Sequence, residues 1–201
     1  MHFSAFIASS ILAFASAAPV AQDDAPAASS APAAVNTYNL ISTRSGDNHV
    51  HLRPLYAKGG AIRIGGTAPT SQTPDVPQLA GFPSTSTTSF IIANDRASLA
   101  VSVPGGQQVY VNSDGRLSYT VPHSGNTGTG STVTGFSVSP MVTGPNVDLL
   151  FNGQESFLAC PVADAAGEYE IFAAEKTART DCTGISILGS ANANPPSAWQ
   201  W

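Results

Sequence analysis

From Thr37 onward the chain reads as short apolar runs broken by Gly, Pro, Asn and Asp, with little 3.6-residue periodicity. That pattern predicts strands, because alternate positions bury one face of a pleated ribbon while turn residues punctuate it. The runs place strands at 38–43, 49–55, 61–64, 89–93, 99–103, 108–112, 117–121, 136–139, 147–151, 157–160, 168–173 and 184–188. Alternation is strictest in Gln108-Val109-Tyr110-Val111-Asn112 and Arg116-Leu117-Ser118-Tyr119-Thr120. Ser113-Asp114-Gly115 between them supplies a tight turn, so a hairpin is expected there. At 168–179 the helix formers Ala173, Ala174, Glu175 and Lys176 compete with the alternation of Tyr169, Ile171 and Ala173. The expectation is a strand followed by one helical turn.

Aromatic strands open four faintly similar units, at Tyr38, Phe90, Phe136 and Tyr169, but their spacing is irregular and no repeat architecture is implied. The predicted fold is all-β, with a single antiparallel domain over 37–189 and a C-terminal tail at 190–201. Either a β-sandwich or a closed barrel-like form accommodates the strands, with the β-trefoil as an alternative. Because the echo is not threefold, the sandwich is preferred. Residues 67–89, rich in Pro, Thr and Ser, and 124–134, with Gly125, Gly128 and Gly130, read as surface loops.

Ahead of this domain, Phe3 to Phe14 is apolar apart from Ser4, Ser9 and Ser10 and leads into Ala15-Ser16-Ala17, the small-residue pattern of a signal-peptidase site. Removal of residues 1–17 is expected, with Ala18 the mature start, since cutting one residue later would leave Pro19 after the scissile bond. The apolar run is shorter than the roughly 20 residues a membrane span needs, and no later stretch is longer. Residues 18–36, an Ala, Pro and Ser mixture with almost nothing to bury, read as a flexible arm, a spacer rather than a propeptide because no dibasic site follows.

Charge narrows the partners. Only 10% of the residues are charged and the formal net charge is -5, so a nonspecific grip on nucleic acid or on anionic membranes is disfavoured. The 42% hydrophobic content is enough for a core. Cys160 and Cys182, the only cysteines, most simply form one disulfide in an oxidising compartment. A catalytic thiol would need an activating base, and none is indicated.

Catalytic signatures are absent from the sequence: there is no nucleophile elbow, no metalloprotease helix and no phosphate- or dinucleotide-binding glycine loop. His49 and His51, one residue apart in an expected strand, would share a face and could hold a metal with Asp47 or His123, but an exposed polar face explains them equally, and no metal or cofactor is expected. Asp148 with Glu155, or Glu168 with Glu170, could in principle serve glycoside hydrolysis; solvated hairpin positions are the simpler account. Gly59-Gly60, Gly65-Gly66 and Gly105-Gly106 read as turns.

Several runs carry a resemblance. Ile41-Ser42-Thr43-Arg44-Ser45-Gly46, Val50-His51-Leu52, Val103-Pro104-Gly105-Gly106-Gln107-Gln108-Val109-Tyr110-Val111, Gly115-Arg116-Leu117-Ser118-Tyr119-Thr120, Phe157-Leu158-Ala159-Cys160-Pro161, Asp181-Cys182-Thr183-Gly184 and Ala198-Trp199-Gln200-Trp201 occur in an order that resembles the PhiA family of secreted fungal cell-wall proteins. The resemblance implies a noncatalytic protein associated with the cell wall and linked to phialide and conidium development in a filamentous fungus. It carries over no catalytic residue. Members often hold a cysteine-containing S-Y-C-P segment where this chain has Thr70-Ser71-Gln72-Thr73-Pro74, so a second disulfide is lost and the 67–89 loop should be looser. Members commonly carry N-glycosylation sequons, yet no Asn here is followed by Ser or Thr two positions on, which leaves O-linked mannose on Ser84 to Ser89.

Two classes of function follow. One is a wall protein contacting polysaccharide through aromatic rings, with Tyr110, Tyr119, Trp199 and Trp201 as the candidates; a terminal tryptophan tucked back onto the sheet is the competing account of the last two. The other is an extracellular glycan-active enzyme with carboxylates from separate loops, and a host-interaction, effector-like role is a third possibility. The missing acid-base constellation favours the first.

Overall fold

The computed structural model describes residues 36–201; the expected signal peptide at 1–17 and all of the arm at 18–36 except Asn36 lie outside the described residues. Thirteen strands follow in chain order: β1 (Thr37–Thr43), β2 (Arg53–Pro54), β3 (Tyr56–Lys58), β4 (Ala61–Gly65), β5 (Ser89–Ala93), β6 (Arg96–Leu99), β7 (Gln107–Val111), β8 (Leu117–Tyr119), β9 (Phe136–Pro140), β10 (Asn146–Phe151), β11 (Phe157–Pro161), β12 (Glu168–Ala173) and β13 (Thr183–Ala191). Two short 3-10 turns, Pro77–Leu79 and Ala174–Lys176, are the only helical segments among the described residues. The second of them directly follows β12, as the competing patterns at 168–179 predict.

All pairings are antiparallel, and nine strands form a closed ring in the order β1, β5, β6, β7, β8, β4, β12, β11, β13. The ring shuts where the first strand meets the last, in register from Tyr38↔Ala191 to Thr43↔Ser186. Of the all-β forms, the chain therefore adopts the closed one. The irregular echo argues against a trefoil and is silent on closure, which depends on one long strand. β13 gives one edge to β1 and divides the other between β11, from Phe157↔Ile185 to Ala159↔Thr183, and β10, from Asn146↔Ser190 to Asp148↔Leu188. The β9–β10 hairpin thus branches from the ring, while β2 and β3 extend β1 and β4.

Interior positions are those the period-2 pattern marks. Leu40, Ile62, Phe90, Ile92, Val109 and Leu117 meet Phe136 and Leu149 of the branching hairpin around a void of about 10 Å³ with no polar lining. A space that small and that apolar holds no ordered water. The barrel is a filled core, and any ligand must bind outside it.

Two strand expectations need correction. Residues 49–55 form a turn, and only Arg53 and Pro54 pair. The cause is Asp47: its carbonyl accepts from the Val50 and His51 amides and its carboxylate from the His49 amide, while the Arg44 amide donates to His51 Nδ1. These local bonds replace the sheet ladder. The strand expected at 99–103 lies earlier, at Arg96–Leu99, because Asn94 and Asp95 both take positive φ (53° and 65°) and join Ala93↔Arg96 as a two-residue hairpin. Asn and Asp reach that conformation without glycine. The hairpin around Ser113-Asp114-Gly115 forms as expected, with Val109↔Tyr119, Tyr110↔Ser118 and Val111↔Leu117 paired.

The segment beyond β13 is docked by hydrogen bonds. Ser102 and Val103 amides donate to Ala198 and Trp199 carbonyls, and Gln72 and Gln200 exchange both backbone bonds. Gln107, fully buried on the inward face of β7, accepts from the Trp201 amide (2.8 Å) and donates to the Trp201 and Thr120 carbonyls (3.0 Å each). The 67–89 loop is stitched in the same way: Ser71 and Thr85 are joined by a backbone bond and by the Ser71 hydroxyl, and Thr88 Oγ1 accepts from the Ala57 amide. Thr88 and Ser89 are buried, which leaves Ser84, Ser86 and Thr87 as the exposed hydroxyls of the expected O-mannose run.

Cys160 and Cys182 form the expected disulfide, which ties the end of β11 to the approach of β13 across 22 residues. Closing such a loop stabilises by about 3 kcal/mol in the chain-entropy account. Replacing both cysteines by alanine should lower the unfolding free energy in urea by about that amount while far-ultraviolet circular dichroism keeps its β signature.

Candidate functional site on the outer wall

Strand parity sorts the four candidate aromatics. In β7, Gln107, Val109 and Val111 are buried and Gln108 and Tyr110 half-buried, so Tyr110 lies on the outer face. Tyr119 pairs with Val109 and joins the core, and burial pushes its phenol up from the usual value. It cannot stack on a sugar. Trp201 packs against the core and is held by Gln107, and its buried indole nitrogen has no hydrogen-bond partner. Trp199 is half-buried, edge-on to Phe82 with ring centroids 5.5 Å apart. Both tryptophans are thus folded back, and Tyr110 remains as the outward aromatic. The signal was present in the hairpin, since the parity that sends Val109, Val111 and Leu117 inward sends Tyr119 with them.

Two residues from Tyr110 on the same face, Gln108 borders a groove of about 880 Å³. Arg96, Thr120, His123, Ser124 and Thr127 also line it, and none of its lining residues is acidic. The far wall is the loop after β8, which is held by its own side chains: the Asn126 amide donates to Ser124 Oγ, the Gly128 amide to Asn126 Oδ1, and Ser131 Oγ to the Thr127 carbonyl. Thr132 then bridges to Val111 through two backbone bonds (2.7 and 2.9 Å), fixing the loop to β7. Gln108 spends its amide N–H groups on the Ala97 and Val109 carbonyls (2.5 and 2.9 Å). Its side-chain oxygen accepts nothing among the described residues and is available to a ligand hydroxyl.

Glu168 and Glu170 are not the solvated hairpin residues the sequence reading prefers; they are largely buried and ion-paired. Both lie on the outer face of β12, where Lys58 and Arg63 (3.1 Å) hold Glu168, and Arg63 (3.0 Å) and Arg116 (3.3 Å) hold Glu170. Hydrogen bonding from Lys58, ahead of that from Arg63, keeps the Glu168 carboxyl below its usual range against the opposing effect of burial. A general acid needs the opposite shift. Above the ladder, the Tyr56 hydroxyl donates to the Gly65 carbonyl, and burial, then the Glu168 charge, push the phenol up to about 12. Gly65 and Gly66, both at positive φ, let the chain pass close to Glu168: a Cβ on Gly65 would collide with the Gly167 carbonyl, and one on Gly66 with the Glu168 side chain. Asp148 and Glu155 are not joined; Asp148 pairs within the sheet and Glu155 is exposed. No three of His, Cys, Asp and Glu come together as a metal-ligand set among the described residues, and no helix there is long and apolar enough to cross a membrane.

A closed antiparallel barrel with its polar groove on the outer wall defines the class of protein. The chain belongs to the family of PhiA-like secreted proteins, whose model matches residues 38–201, the whole ring and the docked tail. It is a secreted fungal protein. An uncharacterized secreted protein of Arthroderma benhamiae is 30% identical over 173 residues, covering 81% of this chain and 84% of its own length. Two uncharacterized but2-like proteins of Schizosaccharomyces pombe are 27% and 25% identical, each over 75% of this chain, which spans only 33% and 27% of their lengths. No solved structure matches the chain.

The charge ladder makes a sharp demand on pH. Because the folded Glu168 pKa is depressed, its contribution is complete above the ordinary glutamate range and disappears as pH falls through the lowered value. Glu168→Ala removes one partner of Arg63, which keeps Glu170, and the partner of the part-exposed Lys58, and should cost about 2 kcal/mol at neutral pH. The gap to the parent in urea unfolding should narrow as the solution is acidified below the ordinary glutamate pKa.

Proposed function

We propose that this secreted protein is a noncatalytic component of the fungal cell wall that holds wall polysaccharide on the outer face of β7. The observation that carries the reading is a groove of hydroxyl and amide groups that Gln108 borders, with the half-buried Tyr110 two residues further along the same outward face of β7. A sugar presents an apolar face and a rim of hydroxyls, and these two features answer both. Two further points support the noncatalytic part: the groove lining has no carboxylate, and Glu168 and Glu170 are engaged by cations. The link to phialide and conidium development rests on the family resemblance alone.

Mature protein is to be incubated with chitin, β-glucan and mannan, and released sugars assayed in the same tubes. Retention without turnover is expected. Tyr110→Ala should weaken retention roughly fivefold, about 1 kcal/mol for one stacked ring, with the melting temperature nearly unchanged. Trp201→Ala should instead lower the melting temperature, since it empties part of the core contact and loosens the docked segment. Released sugar would replace the wall reading with that of a glycan-active enzyme.

A further inference from the structure

Of the cations among the described residues, Arg96 is the one that makes neither an ion pair nor a side-chain hydrogen bond. Lys58, Arg63 and Arg116 belong to the ladder, and Arg179 pairs with Asp181. Arg44 and Arg53 donate to the Gly184 and Asn48 carbonyls, and Lys176 to Thr132. Arg96 lines the same groove as His123, whose ring also has no hydrogen-bond partner there, and no acidic residue lines that groove with them. Asp95, next to Arg96 in the chain, forms no salt bridge with it. In a chain with thirteen acids and eight Lys and Arg, a groove that collects an unpaired guanidinium and an imidazole while excluding carboxylates is unlike the rest of the surface.

We infer that the groove recognises a glycan carrying an acidic group, with Arg96 and His123 on the anion and Gln108, Thr120, Ser124 and Thr127 on the neighbouring sugar hydroxyls. A guanidinium presents paired N–H donors that match both carboxylate and phosphate oxygens, so a uronic acid and a sugar phosphodiester share this chemistry. The net charge of -5 limits the ligand further. A densely charged polyanion is repelled by the molecule as a whole, so the fitting polymer is sparsely substituted, one acidic group among several neutral sugars. This inference rests on the polysaccharide reading above and adds the acidic group to it.

The test compares purified protein on mannan bearing sparse phosphodiesters with the same mannan after phosphate removal, and on a sparsely uronate-substituted glycan with its carboxyl-reduced form. At least one acidic polymer should bind tenfold or more tightly than its neutral counterpart, and the advantage should fall as salt is raised, because exposed charges are screened. A preference confined to one pair identifies phosphate or carboxylate as the group. Arg96→Gln and His123→Asn should each reduce the ratio of acidic to neutral binding, and the double variant bring that ratio to one, with the melting temperature as in the parent, since both side chains are exposed and Asn, like His, tolerates the positive φ of position 123. Equal binding to acidic and neutral polymers, or an advantage that survives the double variant, overturns the inference. Retention on neutral wall polymers without any acidic preference would sink it and leave the wall reading intact; acidic preference on soluble glycans without retention on wall would do the reverse.

Discussion

Everything else in the molecule depends on the pairing of β1 with β13. These strands lie about 150 residues apart in sequence, so their contact carries a large loop-closure cost that the completed ring must offset. What offsets it is the removal of edges: once β13 accepts β1 on one side and β11 with β10 on the other, the inward side chains of all nine ring strands share one dry core. The disulfide reinforces the same joint by tying the end of β11 to the approach of β13. The docked tail clasps the ring elsewhere, on the approach to β7, and Gln107 is its centre: an amide at an inward position would be costly if unpaired, and the Trp201 backbone satisfies it from both sides.

A filled interior sends function to the outer wall, and two of its regions treat charge differently. Lys58, Arg63 and Arg116 hold the two carboxylates Glu168 and Glu170 across β3, β4, the turn before β8 and β12, a structural arrangement in which the close passage of Gly65 and Gly66 brings the backbone against Glu168. The face of β7 is different. It offers a half-buried ring and a free amide oxygen, next to the unpaired Arg96 guanidinium of β6 and the His123 ring, beside a loop fixed by Thr132. One region is closed to ligands by its own pairing; the other keeps polar groups that have no partner among the described residues.

Much of this was legible in the residues, and the rest has identifiable causes. Period-2 alternation located the 107–121 hairpin and most other strands, and an isolated even cysteine pair in a secreted chain sufficed for the disulfide. Residues 49–55 misled because the Asp47 side chain competes with sheet pairing, an effect hydrophobic pattern does not register. The Asn94-Asp95 turn contains no glycine, so the residue pattern does not mark it and the following strand starts earlier than the apolar run suggests. Ring closure was beyond reach, since alternation assigns a face to each strand but no neighbour. For the site, parity alone could have separated Tyr110 from Tyr119, and Gln107 on an inward position could have announced a buried partner. That the partner is the Trp201 backbone follows only from the fold.

Native-state hydrogen exchange, read strand by strand, addresses the closed ring most directly. The account predicts that the amides of β1 and β13 that face each other, from Tyr38↔Ala191 to Thr43↔Ser186, exchange only with global unfolding, as slowly as those between β6 and β7. Free exchange of the β1 amides facing β13, at the rate of an unpaired sheet edge while the rest of the core stays protected, would contradict closure and reopen the interior as a place for ligand.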